Sequence, residues 1–405
     1  MKPLTLAWRN VWRNGRRTLA AIAATTLGLW TMIVYSGLVR GYLDRMEAHV
    51  LDVEMGDIQI HADGYVQSPS LYERIEDPDA LLAALDAAGL PAAPRLLASG
   101  LAAAGQSSAG VSLYGVDVAR DAAVSRIADR VIEGGWLDPA APHEVVIGRR
   151  LAQMLGIGVG DELVVLSQAA DGSTANDLYR VRGLLHGVSD QVDRGGVYML
   201  DAAFRELMVL ERGAHEIIVR RGEQALPDAI ARVHALAPDL DARTWRELKP
   251  TLASMLDTAE GAMIAMFAIV YMAIGIVILN AMLMAVFERV RELGVLKAIG
   301  VGPGGVLGLV YLEALIQTAI ALGAGVILAI PTNWYLSTTG LDLGGSDGEG
   351  ISVMGSMMDP IWRSHVSLET YTGPSIALLV IVLLAVTYPA IKAAVVEPVI
   401  AMRHQ

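Results

Sequence analysis

Four long runs of apolar residues dominate the chain: Thr18 to Leu38, Gly261 to Phe287, Val306 to Leu336 and Gly373 to Ile391. Each is long enough as a helix to cross about 30 Å of hydrocarbon. The third run holds Glu313 and Gln317, whereas the other three hold no Asp, Glu, Lys or Arg. A charge at mid-span costs about 2.5–3.5 kcal/mol on the insertion scale, so its absence from three runs is informative. These runs predict membrane spans over 18–40, 259–287, 306–336 and 373–391. The first run exceeds the h-region of a signal peptide and is expected to stay in the protein as a span.

Basic residues near the span ends predict orientation. Lys2, Arg9, Arg13, Arg16 and Arg17 precede the first span. Arg289, Arg291 and Lys297 lie between the second and third, and Lys392 and Arg403 follow the fourth. The 337–372 loop carries Arg363 alone. By the positive-inside rule both termini and the 288–305 segment are cytoplasmic, and the long 41–258 segment is outside. Residues 1–17 place Leu4, Ala7, Trp8, Val11 and Trp12 on one helical face, with Arg9 and Arg13 opposite. That pattern suits an amphipathic helix lying at the lipid surface.

Apolar residues continue at helical spacing beyond two spans. Leu43, Met46, Val50 and Val53 follow the first, and Leu248, Leu252, Met255 and Leu256 precede the second. This predicts a pair of helical stalks. The third helix, from Pro303 to Leu336, would be roughly 51 Å long, well beyond the hydrocarbon.

Between the stalks the pattern is mixed. Strand-like alternation at 57–61, 95–102, 110–115 and 215–220, with helical patterns at 78–88 and 226–237, reads as two β-α-β-like halves of a ferredoxin-like, porter-type part. A small β-rich subdomain is expected as an insertion at about 136–211. The fold class is therefore a membrane α-helical protein with four transmembrane helices and a large α+β extracytoplasmic domain.

The whole-chain numbers refine this. The 405 residues are 54% apolar and 18% charged, with mean hydropathy +0.45, which fits a chain part membrane and part ordinary domain. A formal charge of −12 argues against nucleic acid as a partner. The lack of cysteine removes disulfides, thiolate metal sites and cysteine catalysis.

Catalytic patterns are lacking. There is no phosphate-cradling G-x-x-x-x-G-K-[ST], and Gly300-Val-Gly-Pro-Gly-Gly305 reads as a turn into the third span. The eight histidines form no H-E-x-x-H, and Asp171 to Asp177 lacks the terminal Glu of an EF-hand. Met354, Met357 and Met358 are read as an adaptable apolar surface, so no metal site and no catalytic residue is assigned. Polar residues within spans are functional candidates. Glu313, roughly 15 Å along its helix from Pro303, is expected near the inner interface, paired with a base of 288–297. Asn280 is expected to hydrogen-bond between helices, and Gln317 joins them as an intramembrane polar residue.

The most specific stretch is Glu288-Arg-Val-Arg-Glu-Leu-Gly-Val-Leu-Lys-Ala-Ile-Gly300, with Val290, Leu293, Leu296 and Ile299 as an apolar stripe among charges. It resembles the coupling helix of FtsX-like/MacB-type (type VII) ABC permeases. The Leu6–Thr18 lead, the Glu144–Asp161 stretch and the Tyr388–Arg403 ending resemble the same family. Asp57 to Tyr65 and Thr244 to Pro250 resemble its LolC/LolE lipoprotein-releasing branch.

The resemblance implies a bacterial inner-membrane permease of the mechanotransmission type, not itself an enzyme. It would bind no cofactor, and ATP and Mg would sit on a partner ABC ATPase dimer. Glu288, Arg289, Arg291, Glu292 and Lys297 would face that ATPase, with Gly294 and Gly300 allowing close packing. A second permease copy or paralogue, a lipoprotein substrate, a periplasmic carrier or adaptor, and membrane lipids would be the other partners. Leu29, Met32, Ile33 and Leu38 are the candidate acyl-chain contacts. A MacB-like tripartite efflux permease and a non-transporting FtsX-like signalling partner are the alternatives.

Overall fold

The computed structural model describes residues 3–342, 351–353, 356–358 and 361–395. Met354 and the stretch Glu397 to Arg403 lie outside the described residues, as does Lys2. The chain divides into two compact units, one of residues 1–43, 256–343 and 361–405, the other of 44–255 and 344–360.

The first unit is helical. Helix α1 (Pro3–Arg13) breaks at Asn14, and α2 (Gly15–His49) follows at once. The buried Thr18 hydroxyl donates to Val11 O at 2.8 Å and ties the two together. Later come α10 (Pro250–Glu288), α11 (Val290–Ala298), α12 (Pro303–Thr338) and α13 (Leu368–Val395). Among the described residues, four helices, beginning at Gly15, Pro250, Pro303 and Leu368, are long and apolar enough to cross a membrane. Their shared core contains Leu29, Ile33, Ile278, Ala329, Leu378 and Val382. Apolar residues on the other faces of the same helices, such as Ile264, Ile269, Ile327 and Leu384, are exposed. Helices apolar all round suit lipid as the outer solvent.

The second unit is built on one large sheet. Strand β1 (Ile58–His61) starts after a widened π turn, Val50–Met55. Gly56 ends that turn at φ 72°, and a Cβ there would sit 2.4 Å from Ile218 Cγ2, so the position needs glycine on both counts. Helix α3 (Pro78–Ala87) leads to the hairpin of β2 (Ala92–Ala104) and β3 (Ser107–Val116). Then come α4 (Val118–Val124), β4 (Val131–Gly134), β5 (Glu144–Gly148), α5 (Arg149–Leu155), β6 (Glu162–Gln168) and β7 (Thr174–Leu185). The unit finishes with α6 (Asp190–Gly195), β8 (Gly196–Leu200), α7 (Asp201–Met208), β9 (Glu216–Val219), α8 (Leu226–Leu236), β10 (Asp241–Thr244) and α9 (Trp245–Leu248).

The strand order is β10-β1-β9-β2-β3-β8-β5-β7-β4, and β6 joins β7 to β2. The pairings β2–β3, β3–β8, β8–β5, β5–β7, β7–β6 and β6–β2 therefore close a ring of six strands. Strand β2 serves two structures. Its first residues, Ala92–Arg95, pair with β9, and Leu101–Ala103 pair with β6. The ring strands share a core that includes Val111, Leu113, Ile147, Leu163, Val181 and Val197.

At the other end of the sheet α3 and α8 cover one face, while α4 reaches the opposite face, with Val124 against Ala93 and Ile218. Alternation puts Ile58, Ile60, Ile217 and Val219 on the first of these faces, packed with Leu82 and Leu85 of α3 and Val233 of α8. The opposite face carries Gln59, His61, Arg95 and Glu216, all buried polar or charged residues.

Candidate functional site

The segment between the second and third long helices has a defined shape. Helix α10 stops at Glu288, Arg289 turns the chain at φ −117°, and α11 begins at Val290. The end of α11 is a glycine stop. Gly300 has φ 102°, and the Val301 N–H donates back to Leu296 O at 3.1 Å. Pro303 then occupies the first turn of α12, where its missing N–H does no harm. Leu293 and Gly294 are buried and hold α11 to its own unit. The apolar stripe read from the sequence is divided: Leu296 is half-buried, while Ile299 is 77% exposed and Val295 is exposed beside it.

The charges of this segment are mostly occupied inside the chain. Arg289 donates from one guanidinium nitrogen to both carboxylate oxygens of Glu313, at 2.9 Å each. Asn10 of α1 adds a bond to Glu313 at 2.6 Å. Glu313 is only 6% exposed, so this pairing offsets the cost of a carboxylate away from water. Glu292 accepts from Arg13 at 2.6 Å, and Glu288 pairs with Arg17 at 2.9 Å. Lys297 donates to Ala394 O of α13 at 2.7 Å. Desolvation pushes the Glu292 carboxyl up, but the bonds and charges of Arg13 and Arg289 outweigh it and hold its pKa below the ordinary value. The segment is thus held by one ion pair from α1 (Arg13–Glu292) and one from α2 (Arg17–Glu288), while Asn10 ties α1 to Glu313 of α12.

Arg291 differs from its neighbours. It is exposed and, among the described residues, has no ion-pair or hydrogen-bond partner. With Val295 and Ile299 it forms a free surface of one cation and two large apolar side chains. A buried partner surface would cover those apolar groups and meet that charge.

The other sequence candidates fall as follows. Gln317 is half-buried and lines a small cavity with Asn10, Arg17, Glu288, Arg289 and Glu313. Asn280 is exposed, and among the described residues its side chain makes no hydrogen bond. Leu29, Met32 and Ile33 are buried inside the helical core, where Leu29 packs against Gly325; Leu38 is half-buried. An acyl chain could touch the first three only if the helices parted. Sequence reasoning placed Arg13 and Arg17 on an interfacial helix and missed their pairing, because Glu292 and Glu288 lie far away in the chain. The available signal was acid at 288 and 292 matching base at 13 and 17.

The profile of the MacB-like periplasmic core domain matches residues 18–235, and that of the FtsX-like permease C-terminal region matches residues 264–398. The lipoprotein-releasing system transmembrane protein LolC of Neisseria meningitidis serogroup B is 23% identical over 340 residues, covering 78% of this chain and 77% of that protein. LolC of Xylella fastidiosa strain 9a5c is 21% identical over 406 residues, covering 96% and 94%. The pyoverdine export ATP-binding/permease protein PvdT of Pseudomonas fluorescens is 24% identical over 343 residues, covering 82% of this chain and 51% of that protein. Four apolar helices, a large α/β domain between the first two, and these two matches together make this a bacterial inner-membrane protein with a periplasmic domain. The chain belongs to the FtsX-like, MacB-type (type VII) ABC transporter permeases, on their LolC-like branch.

Proposed function

We propose that this permease extracts lipoproteins from the inner membrane, driven by a separate ABC ATPase dimer. The observation that carries the coupling role is the free face of α11. Arg291, Val295 and Ile299 are exposed while the other charges of the segment are tied to the chain itself. In this reading both termini and α11 are cytoplasmic, and ATP-driven closure of the ATPase pulls on α11. The Arg13–Glu292 pair, the Asn10–Glu313 bond and the Arg289–Glu313 pair would make α11, α1 and α12 move together, and the stalk helices would pass that motion to the periplasmic domain. A second permease copy or paralogue completes the transporter, and a periplasmic carrier receives the cargo. The β10-β1-β9-β2 order with α3 and α8 is read as the ferredoxin-like porter part, and residues 136–211, with the strands from β5 to β8, as the inserted subdomain.

Lipoprotein as the cargo rests on the likeness to two LolC proteins along most of their length. The test is reconstitution with the cognate ATPase and a triacylated protein. ATP-dependent release is expected, and its absence would discard the cargo assignment. Arg291→Glu is expected to abolish ATPase stimulation by the permease while membrane insertion is kept. Full stimulation in that variant would remove the docking assignment. A second reading, an efflux permease working with an adaptor and an outer-membrane duct, is favoured by the likeness to PvdT. Co-purification of an adaptor, with no release of acylated protein, would select it.

A further inference from the structure

The face of the periplasmic sheet opposite α3 and α8 holds a cavity of about 930 Å³, at the upper end of the range for small-molecule sites. Strand register explains its lining. Glu216 stands opposite His61 on one side and Arg95 on the other. Two residues further along β2, Leu97 is opposite Tyr114, which is beside Tyr198. One end of the cavity is therefore polar, with Glu216, Tyr65, Tyr114 and Tyr198. Along the same face of β2, Leu97 and Leu101 lead to Leu166, which pairs with Leu101. From Arg95 to Leu101 is six residues, or roughly 20 Å of extended strand.

The charges at the polar end do not cancel. Arg95 is 3% exposed and bonds Asp121 Oδ1 through two nitrogens, at 3.0 and 2.9 Å. Lys249 pairs with Glu54. Glu216 is buried at 9% exposure, yet its carboxylate receives no hydrogen bond among the described residues. Its one ion-pair neighbour among the described residues is His61, whose Nε2 stands 3.5 Å away, beyond a good hydrogen bond. The other ring nitrogen, His61 Nδ1, is buried and makes no hydrogen bond among the described residues. Tyr114 and Tyr198 stack with centroids 4.6 Å apart, and burial raises both phenols, which keeps them as neutral hydroxyls. A carboxylate without a donor, ringed by neutral phenols and continued by a leucine-lined wall, is complementary to a cation with an apolar body.

We propose that this cavity binds an organic ammonium ion, its N–H groups set against Glu216 and the tyrosine hydroxyls and its apolar part lying along Leu97, Leu101 and Leu166. The ammonium can belong to a free amine or to a lysine side chain of a polypeptide. The site lies within the periplasmic unit and needs no ATPase, so its failure would leave the proposed transport role untouched.

The test is calorimetric titration of the full chain in lipid nanodiscs with 2-phenylethylamine. 2-Phenylethanol is the neutral comparison. A blocked Ala-Lys-Ala peptide and its norleucine counterpart form the polypeptide arm. The amine or the lysine peptide should bind with Kd below about 1 mM. Glu216→Gln should weaken binding about tenfold or more with an unchanged unfolding temperature. Ser99→Trp, which fills the cavity without touching Glu216, should abolish binding and serves alone if the first variant does not fold. Tighter binding of the lysine peptide than of the amine assigns the site to a polypeptide, and the reverse order to small amines. Absence of binding by both probes, equal binding of the alcohol, or undiminished binding in Ser99→Trp would overturn the proposal.

Discussion

Replacing Arg289 by methionine is the most direct perturbation of the segment's internal wiring. Methionine keeps an unbranched apolar stem but removes the charge. In the native protein Arg289 is 12% exposed at its side chain and contacts both oxygens of Glu313, whose own side chain is 8% exposed. Removing one partner of such a pair costs about 3–5 kcal/mol, because the other charge is left buried. The Asn10 amide still donates to Glu313, and a bond from a neutral donor to a charged group is worth about 1.5–3 kcal/mol. That places the expected cost at the lower end, about 3 kcal/mol. Replacing both residues, as Arg289→Met with Glu313→Leu, removes the stranded carboxylate and should recover most of the loss. A double-mutant cycle in nanodiscs, read by thermal unfolding, should give a coupling of about 2–3 kcal/mol. The reasoning is refuted if Arg289→Met costs less than about 1 kcal/mol. It is equally refuted if the double variant is as unstable as the worse single one.

Two further outcomes follow from the periplasmic unit. His215 Nδ1 accepts from the Leu97 N–H at 3.1 Å and Nε2–H donates to Leu71 O at 3.1 Å, a pattern only the neutral ring can make. Burial is the main cause that holds its pKa below 6.5, so the unfolded chain takes up the proton first. Stability from this group is fully present above about pH 6.5 and is lost as pH falls. Unfolding temperature should drop from pH 7.5 to 5.5 and drop less in His215→Gln; identical slopes would contradict this. Asp121→Ala strands the buried Arg95 guanidinium and should destabilise by about 3–5 kcal/mol, measured by denaturant midpoint; a change within about 0.5 kcal/mol would show the pair to be dispensable.

What could be seen in the sequence depended on how local the physics was. The four membrane helices were legible because twenty consecutive apolar residues carry their own signal. The strands β2 and β3 were legible as the strand-like runs at 95–102 and 110–115, although both extend further, to Ala92 and Val116. The closed ring was not legible. It depends on Leu101 meeting Leu166 and Val146 meeting Tyr198, pairings set by the whole fold rather than by neighbours in the chain. At the candidate site, Glu313 stood out because a lone acid in an apolar run must find a partner. The clamp from α1 did not, since Arg13 reads equally well as a lipid-facing base, and only tertiary placement shows it on Glu292. Arg291 was one of five charges in the motif, and nothing in their spacing marks it as the free one.

Strand β2 belongs both to the six-stranded ring and to the open end of the sheet, so the ring strands cannot be removed without changing the strands that remain. Cutting out the stretch from β4 to β8 would strip Leu101–Ala103 of the backbone partners supplied by β6, and β3 of those supplied by β8. The remnant would carry two naked strand borders at the tip of a long hairpin, ready to pair with any other chain. Deleting the stretch from β4 to β8 should therefore yield an aggregating fragment rather than a smaller stable domain.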